Sequence, residues 1–486
     1  MNHILFVAIW GAVLAAPIER AAAQVVTPKT LPVLQGGQFD MFPSARAGMG
    51  GATIAVDDTL LDPFVNPAKA SRIGAGHIFG APYFHSVSGE RGGGRSIPVG
   101  GGGSWGAWSA TGLFTFQQLD RAGPTWNLST SERSAFNQYI AGSIARRLTP
   151  STSVGLGVQL AALDAIDGVD LLYGGSDRID QSGSLADFRF GLTKEVGNDR
   201  HLEVMLVHAR TDMRHDVRFT TWRWDSVDRR TIQNQRSERN EDRTHIWGLH
   251  SEYSRPIGTT GWHLGWLGTA NRLSHPKIPN YVIQNIPRDP GTTYSFNAGA
   301  GIGRSVRGTS FAADLIYEPM FADTWADAAN DTAIAGGGTI EAGAKTVENT
   351  FRFKNVKLRL GAGQDVTIRE GNAVFGYQFG LGLHAINYRL QQANHVQRTF
   401  RTQREDWVEW SPTFGLRFRS RDLDVLYNFT LTCGPGACGE GEALTFPNGR
   451  LEAASSGGII AAPSSELFMQ SGSLKVHKVT ISLPIR

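Results

Sequence analysis

From residue 76 onward the chain alternates apolar and polar residues with a period of two. Phe188, Phe190 and Leu192 fall on one face, opposite Asp187, Arg189 and Gly191. Phe414, Leu416 and Phe418 oppose Arg417 and Arg419, and Leu423, Val425, Tyr427 and Phe429 oppose Asp424 and Asn428. Successive side chains of a strand point to opposite faces, so this period predicts strands. Sixteen segments carry it, at about 76–87, 95–103, 106–118, 136–147, 152–164, 184–196, 201–216, 243–256, 260–273, 293–306, 309–320, 348–362, 373–389, 407–419, 422–432 and 474–485. In 351–360 the phase changes. Phe351 and Phe353 oppose Arg352 and Lys354, but beyond Asn355 it is Val356, Leu358 and Leu360 that oppose Lys357 and Arg359. That change predicts a β-bulge at Asn355.

The connections alternate in length. Short ones fall at 104–105, 148–151, 197–200, 257–259, 307–308, 363–372 and 420–421. Long ones lie near 119–135, 165–183, 217–242, 274–292, 321–347, 390–406 and 433–473. Alternating strands of ~10 residues, with short turns on one side and long loops on the other, are the signature of a transmembrane barrel. A soluble sandwich gives its connections no reason to alternate. A Lys or Arg on the lipid face at mid-membrane costs roughly 2–4 kcal/mol. The charged faces are therefore expected to point into the lumen, and the apolar faces to meet lipid. Tyr83, Phe84, Trp105, Trp108, Tyr253, Trp262, Trp266, Tyr317, Tyr388, Trp407 and Trp410 gather near strand ends and are expected to form interfacial girdles.

Composition narrows this picture. Residues 4–16 form an apolar run too short to span a bilayer as a helix. Pro17 and Ala21-Ala22-Ala23 follow, so 1–23 reads as a secretory signal peptide. No other stretch is long and apolar enough for a membrane helix, which leaves a closed barrel as the membrane-spanning option. The formal net charge of +3 argues for neither nucleic acid nor an acidic partner. Glycine is abundant at 58 residues, as fits a barrel with tight turns and close strand approach. The two cysteines, Cys433 and Cys438, are expected to form a local disulfide at a loop tip, given an oxidising compartment.

Residues 24–73 lack strong alternation and precede the strands. They contain Gly48-Met49-Gly50-Gly51-Ala52-Thr53-Ile54-Ala55-Val56-Asp57-Asp58 and Asn66-Pro67-Ala68. These elements resemble the N-terminal hatch of the FadL family of outer-membrane channels for hydrophobic compounds. The resemblance is specific in 45–68 and architectural over the rest of the chain. It implies an all-β transmembrane antiparallel barrel of 14–16 strands at 74–486, with the hatch at 24–73 inside the lumen. It also implies that Gly48, Gly50, Gly51, Asp57, Asp58, Asn66 and Pro67 take part in gating, and that a hydrophobic ligand displaces part of the hatch and leaves sideways into the membrane. The implied partners are outer-membrane lipid, a hydrophobic small-molecule ligand such as a long-chain fatty acid, and the barrel-assembly machinery.

The residues add their own expectations. Asp57 and Asp58 are suited to accept hydrogen bonds from lumenal Arg352, Lys357 and Arg359. Arg352, Lys354, Lys357 and Arg359 are candidates to receive a ligand carboxylate, although lumenal charges more often pair with Asp and Glu. Ile278, Tyr281 and Ile283 make loop 274–292 apolar enough to line a greasy groove, whereas loop 217–242 reads as a charged, solvated surface. No metal site, cofactor motif or catalytic constellation is present: no His pair has ligand spacing with a third partner, and no G-x-S-x-G elbow occurs. A plugged barrel serving protein secretion or surface anchoring, like the PorV-type proteins, is the rival function. A general porin is a further one.

Overall fold

Alternating segments leave backbone groups that only neighbouring strands can satisfy, and here each strand pairs antiparallel with the next. The computed structural model describes residues 29–30, 38–74, 76–89, 92–121, 134–166, 176–197, 199–225, 229–275, 290–328, 330–368, 373–439, 444–445, 467–469 and 471–485. Among these, sixteen strands form the wall. They are β1 (Gly76–Gly80, resuming as Tyr83–Val87), β2 (Gly92–Trp105), β3 (Trp108–Arg121), β4 (Ser134–Thr149), β5 (Thr152–Leu163), β6 (Arg178–Glu195), β7 (His201–Asp225) and β8 (Arg230–Ile257). They continue with β9 (Trp262–His275), β10 (Gly291–Val306), β11 (Thr309–Asp327), β12 (Lys345–Ile368), β13 (Ala373–Asn394), β14 (Thr399–Ser420), β15 (Asp424–Gly434) and β16 (Gly472–Ile485). β16 pairs with β15 and with β1, where Leu483 lies opposite Ile78 and His477 opposite Phe84, so the sheet closes on itself. The sixteen segments read from alternation coincide with these strands.

The outward faces carry an apolar band. On β12 the outward residues are Val356, Leu358, Leu360 and Ala362, and on β13 they are Phe375, Tyr377, Phe379, Leu381, Leu383 and Ala385. Phe188, Leu315 and Phe379 are each more than half exposed, in a protein whose inward faces are buried. Ten residue steps at ~3.3 Å, tilted as in barrels, make a band about 25 Å tall, the thickness of a bilayer's apolar layer.

Three expectations need correction. First, residues 217–242 are not a loop. β7 and β8 run on as a paired ribbon with only 226–229 between them, and β13 and β14 likewise meet across 395–398. Opposite charges hold the first ribbon: Asp212 lies across from Arg243 and Asp216 across from Arg239, at 2.6 and 2.7 Å. Second, β12 has no bulge at Asn355, because its register with β11 and β13 is unbroken there. The strand keeps its period and the chemistry of its faces changes instead. Phe351 and Phe353 point inward with Lys357 and Arg359, while Arg352 and Lys354 point outward. Third, Tyr83, Tyr388 and Trp407 are buried inside the barrel and take no part in a girdle; Trp105, Trp108 and Tyr317 do face outward.

Candidate functional site

The described parts of the N-terminal segment, 29–30 and 38–74, touch inward-facing residues on many strands of the wall and so lie within the lumen. Its local folds follow from its motifs. Asn66 caps a short 3-10 helix, Pro67–Arg72: its side chain accepts a hydrogen bond from the Ala68 N–H at 3.1 Å, and Pro67 takes the first helical position. The Asn66 amide donates onward to Glu203 Oε2 on β7 at 3.1 Å. The same carboxylate meets Lys69 Nζ at 2.8 Å, and Lys69 also lies 3.4 Å from Asp62. Burial alone lowers the pKa of a lysine, but Asp62 and Glu203 more than reverse this and hold the Lys69 ammonium charged.

Asp58 is fully buried and organises the segment from within. It accepts from Ser44 Oγ and from the N–H groups of Ala45, Arg46, Leu60 and Leu61. This ties 44–46 to 60–61 and closes a loop that contains the glycine run. Asp57 pairs with Arg72 at 3.2 Å. Neither aspartate is held by Arg352, Lys357 or Arg359, contrary to the sequence expectation. Asp58 is saturated by its own segment, Arg352 faces outward, and Lys357 pairs with Glu318 at 3.0 Å. Arg359 does reach the segment, donating to the Gly51 carbonyl at 3.3 Å.

The glycine run is bound to the wall through backbone groups. Gly50 N–H donates to Thr413 Oγ1 at 2.9 Å, and that hydroxyl donates to the Gly48 carbonyl at 2.8 Å. Thr53 and Ile54 N–H both donate to Asp314 Oδ2 on β11, at 2.8 and 3.3 Å. Such contacts need the two backbones close together. A Cβ on Gly380 of β13 would lie 2.0 Å from the Gly50 nitrogen, and one on Gly191 of β6 would lie 2.0 Å from Asn66 Oδ1. Gly50 itself has φ +67°, which favours glycine. On the opposite wall Arg189, paired with Asp187 at 2.6 Å, donates to the carbonyls of Phe64 and Val65. Lys478 of β16 donates to the carbonyls of Asp40, at 2.9 Å, and Phe42.

Towards the long-connection end the lumen changes character. Met320, Ala322, Phe351, Phe353, Ile386, Tyr388, Leu390 and Trp407 form a buried apolar cluster on the inward faces of β11–β14. Phe353 and Tyr388 have ring centroids 5.4 Å apart, and Trp407 meets Tyr388 edge-on at 6.2 Å. Buried polar side chains border it on the same inward faces, among them Asn349, Asn355, Gln403 and Glu405. Tyr388 donates to the Thr30 carbonyl at 3.4 Å, and Lys29 pairs with Glu409 at 2.7 Å. A second apolar cluster, around Tyr83, Tyr139, Leu163 and Met213, covers the β1–β7 side.

No family model and no curated protein matches the chain. Among solved structures it is similar to a Pseudomonas aeruginosa FadL homologue, at 12% identity over 92% of this chain and 99% of that one, with a TM-score of 0.43. It is also similar to the Ralstonia pickettii toluene transporter TbuX, at 11% identity over 93% and 100% of the two chains, TM-score 0.39. A third likeness is to the ferric-catecholate import receptor Fiu from E. coli K12, at 8% identity over 84% and 81%, TM-score 0.36.

Of the site residues expected from sequence, Gly48, Gly50, Gly51, Asp58, Asn66 and Pro67 are brought together in one hydrogen-bonded body against the wall. Ile278, Tyr281 and Ile283 lie outside the described residues. Cys433 and Cys438 are disulfide-bonded. Among the described residues, no group of three or more His, Cys, Asp or Glu converges as a metal site would need. Sequence reasoning missed the wall's half of the lock, Asp314, Thr413, Glu203 and Arg189, and the inward aromatics Phe351, Phe353, Tyr388 and Trp407. Asp314 carried a signal: it is one carboxylate in the apolar run Phe311-Ala312-Ala313-Asp314-Leu315-Ile316.

Proposed function

We propose that this chain is a bacterial outer-membrane channel for hydrophobic small molecules, with long-chain fatty acids as the substrate class. In this reading a leader at 1–23 is removed, the barrel-assembly machinery inserts 74–486, and 24–73 is a hatch. The long-connection end faces outside and the short turns face the periplasm.

One observation carries the proposal. On β11–β14 the inward faces gather an aromatic and aliphatic cluster towards the outer end, while the segment beneath is bound to the wall by many hydrogen bonds together with apolar contacts of Met49, Ile54 and Val56. An aqueous pore gains nothing from burying Phe351, Phe353 and Trp407 inside its wall, because water solvates polar linings better. An acyl chain is the ligand such a lining suits. Moving 48–66 exchanges these hydrogen bonds for bonds to water and breaks the small apolar contacts that Met49, Ile54 and Val56 make with the wall. Ligand reaching the apolar cluster displaces this segment and leaves through the wall into the bilayer.

Binding tests the reading. A brominated long-chain fatty acid added to the purified barrel quenches Trp407 emission saturably, and Trp407→Phe removes that component. Quenching that never saturates, or that is the same in Trp407→Phe, counts against a lumenal ligand and favours a partner role in secretion.

A further inference from the structure

Two charged patches on the outer wall obey opposite rules. On the β7–β8 ribbon signs alternate across the strands. Arg214 lies opposite Glu241, Asp212 opposite Arg243 and Asp216 opposite Arg239, and Arg210 and Arg214 also bridge along their strand to Asp212 and Asp216. On β12–β14 the register instead sets Arg352 opposite Arg389 and Arg389 opposite Arg404. Three guanidinium groups therefore stand side by side on adjacent strands, and Lys354 projects one outward position closer to the apolar band. Like charges in direct cross-strand register are destabilising. The acidic neighbours are Asp323, which pairs with Arg352 at 3.0 Å, and Asp406. Arg389, Arg404 and Lys354 have no ion pair among the described residues.

The height of this row matters. Val356, Ala385 and Val408 end the unbroken apolar band on the three strands, and the arginines stand two outward positions beyond them, with Phe400 two outward positions further on β14. That is the level at which lipid headgroups begin. We propose that the row Arg352–Arg389–Arg404, with Lys354, seats the phosphate groups of a phosphorylated outer-leaflet lipid. Arginine forks match phosphate oxygens in bidentate geometry, and a doubly charged phosphate relieves the repulsion within the row. The proposal rests on the orientation given above, with the long connections outside, and not on transport.

Purified full-length barrel in neutral detergent is titrated with diphosphoryl lipid A, with its dephosphorylated form and with inorganic phosphate, and bound lipid is counted by native mass spectrometry. The diphosphorylated lipid is expected to bind roughly tenfold more tightly than the dephosphorylated one, and raising the salt concentration should erode that preference. Arg389→Gln with Arg404→Gln removes the preference, while Arg214→Gln with Arg243→Gln on the balanced ribbon keeps it. Arg389→Lys, which retains the charge but loses the fork, gives an intermediate value and covers a double variant that fails to fold. Equal binding of both lipids, a preference that survives the double variant, or binding of free phosphate without lipid preference overturns the proposal.

Discussion

The lower and upper lumen are built from the same strands by different means. Below, the wall is glycine and isolated polar residues, and the N-terminal segment lies against it backbone to backbone. Above, the same strands turn aromatic side chains inward beside a network of polar residues that includes Asn349, Gln403 and Glu405. β13 shows both: Gly380 meets Gly50, and eight residues later Tyr388 joins the apolar cluster. The contrast separates two tasks. Close backbone contact with many hydrogen bonds makes a lock that is specific yet built of exchangeable bonds. In the proposed function the apolar cluster is the surface that takes a greasy ligand.

The largest expected effect comes from filling the lower wall. Gly380→Ala places a methyl on the Gly50 backbone, where nothing flexible can yield. The barrel should assemble poorly or expose 44–66 to protease. Gly382→Ala, whose methyl meets only ordinary contacts to Ser411, should be silent in the same proteolysis and gel-mobility assays. Next comes the internal staple. Asp58→Ala strands donors that Asp58 now satisfies, at about 1–3 kcal/mol for each one left buried. Amide exchange across 44–61 should speed by orders of magnitude, whereas exposed Asp57, replaced by Ala, should change it little.

In the upper lumen, Phe353→Ser should weaken fatty-acid binding roughly tenfold, about the transfer free energy of half a buried aromatic side chain. Amide exchange of 48–66 should stay unchanged. A parallel change there would mean that the two regions are one unit. The smallest effect is predicted for Arg352→Gln, which should leave ligand affinity within about twofold, since an exposed cation contributes little to a site behind the wall.

Strand number and position were legible because one face of each strand meets lipid and the other the lumen, which forces strict alternation. Projecting strands were less so. In 217–242 apolar residues are sparse and lack a period of two, and the opposite-charge pairs Asp212–Arg243 and Asp216–Arg239 sit at the ribbon's base, so no apolar stripe marks the strands. The phase at Asn355 misled for a related reason. Apolar residues on β12 mark lipid below that point and the lumenal cluster above it, and sequence alone does not distinguish the two. On the N-terminal segment, the Asn66-Pro67 cap was readable as a turn, but its partner Glu203 lies 137 residues away. Wall contacts of that kind depend on register and strand tilt, which no local pattern encodes.

The central claim, that 48–66 must move for passage, is tested most directly by tethering it. A Cβ on Gly303 of β10 would lie 2.2 Å from Val56 Cγ2, so Val56→Cys with Gly303→Cys brings two sulfurs within bonding reach. Uptake of a radiolabelled long-chain fatty acid is measured in cells making this variant, oxidised and then reduced, beside the parent barrel treated identically. The account predicts uptake near the empty-vector level when oxidised and recovery on reduction, with Trp407 quenching intact in both states. Uptake equal to the parent's in the fully oxidised variant would contradict it.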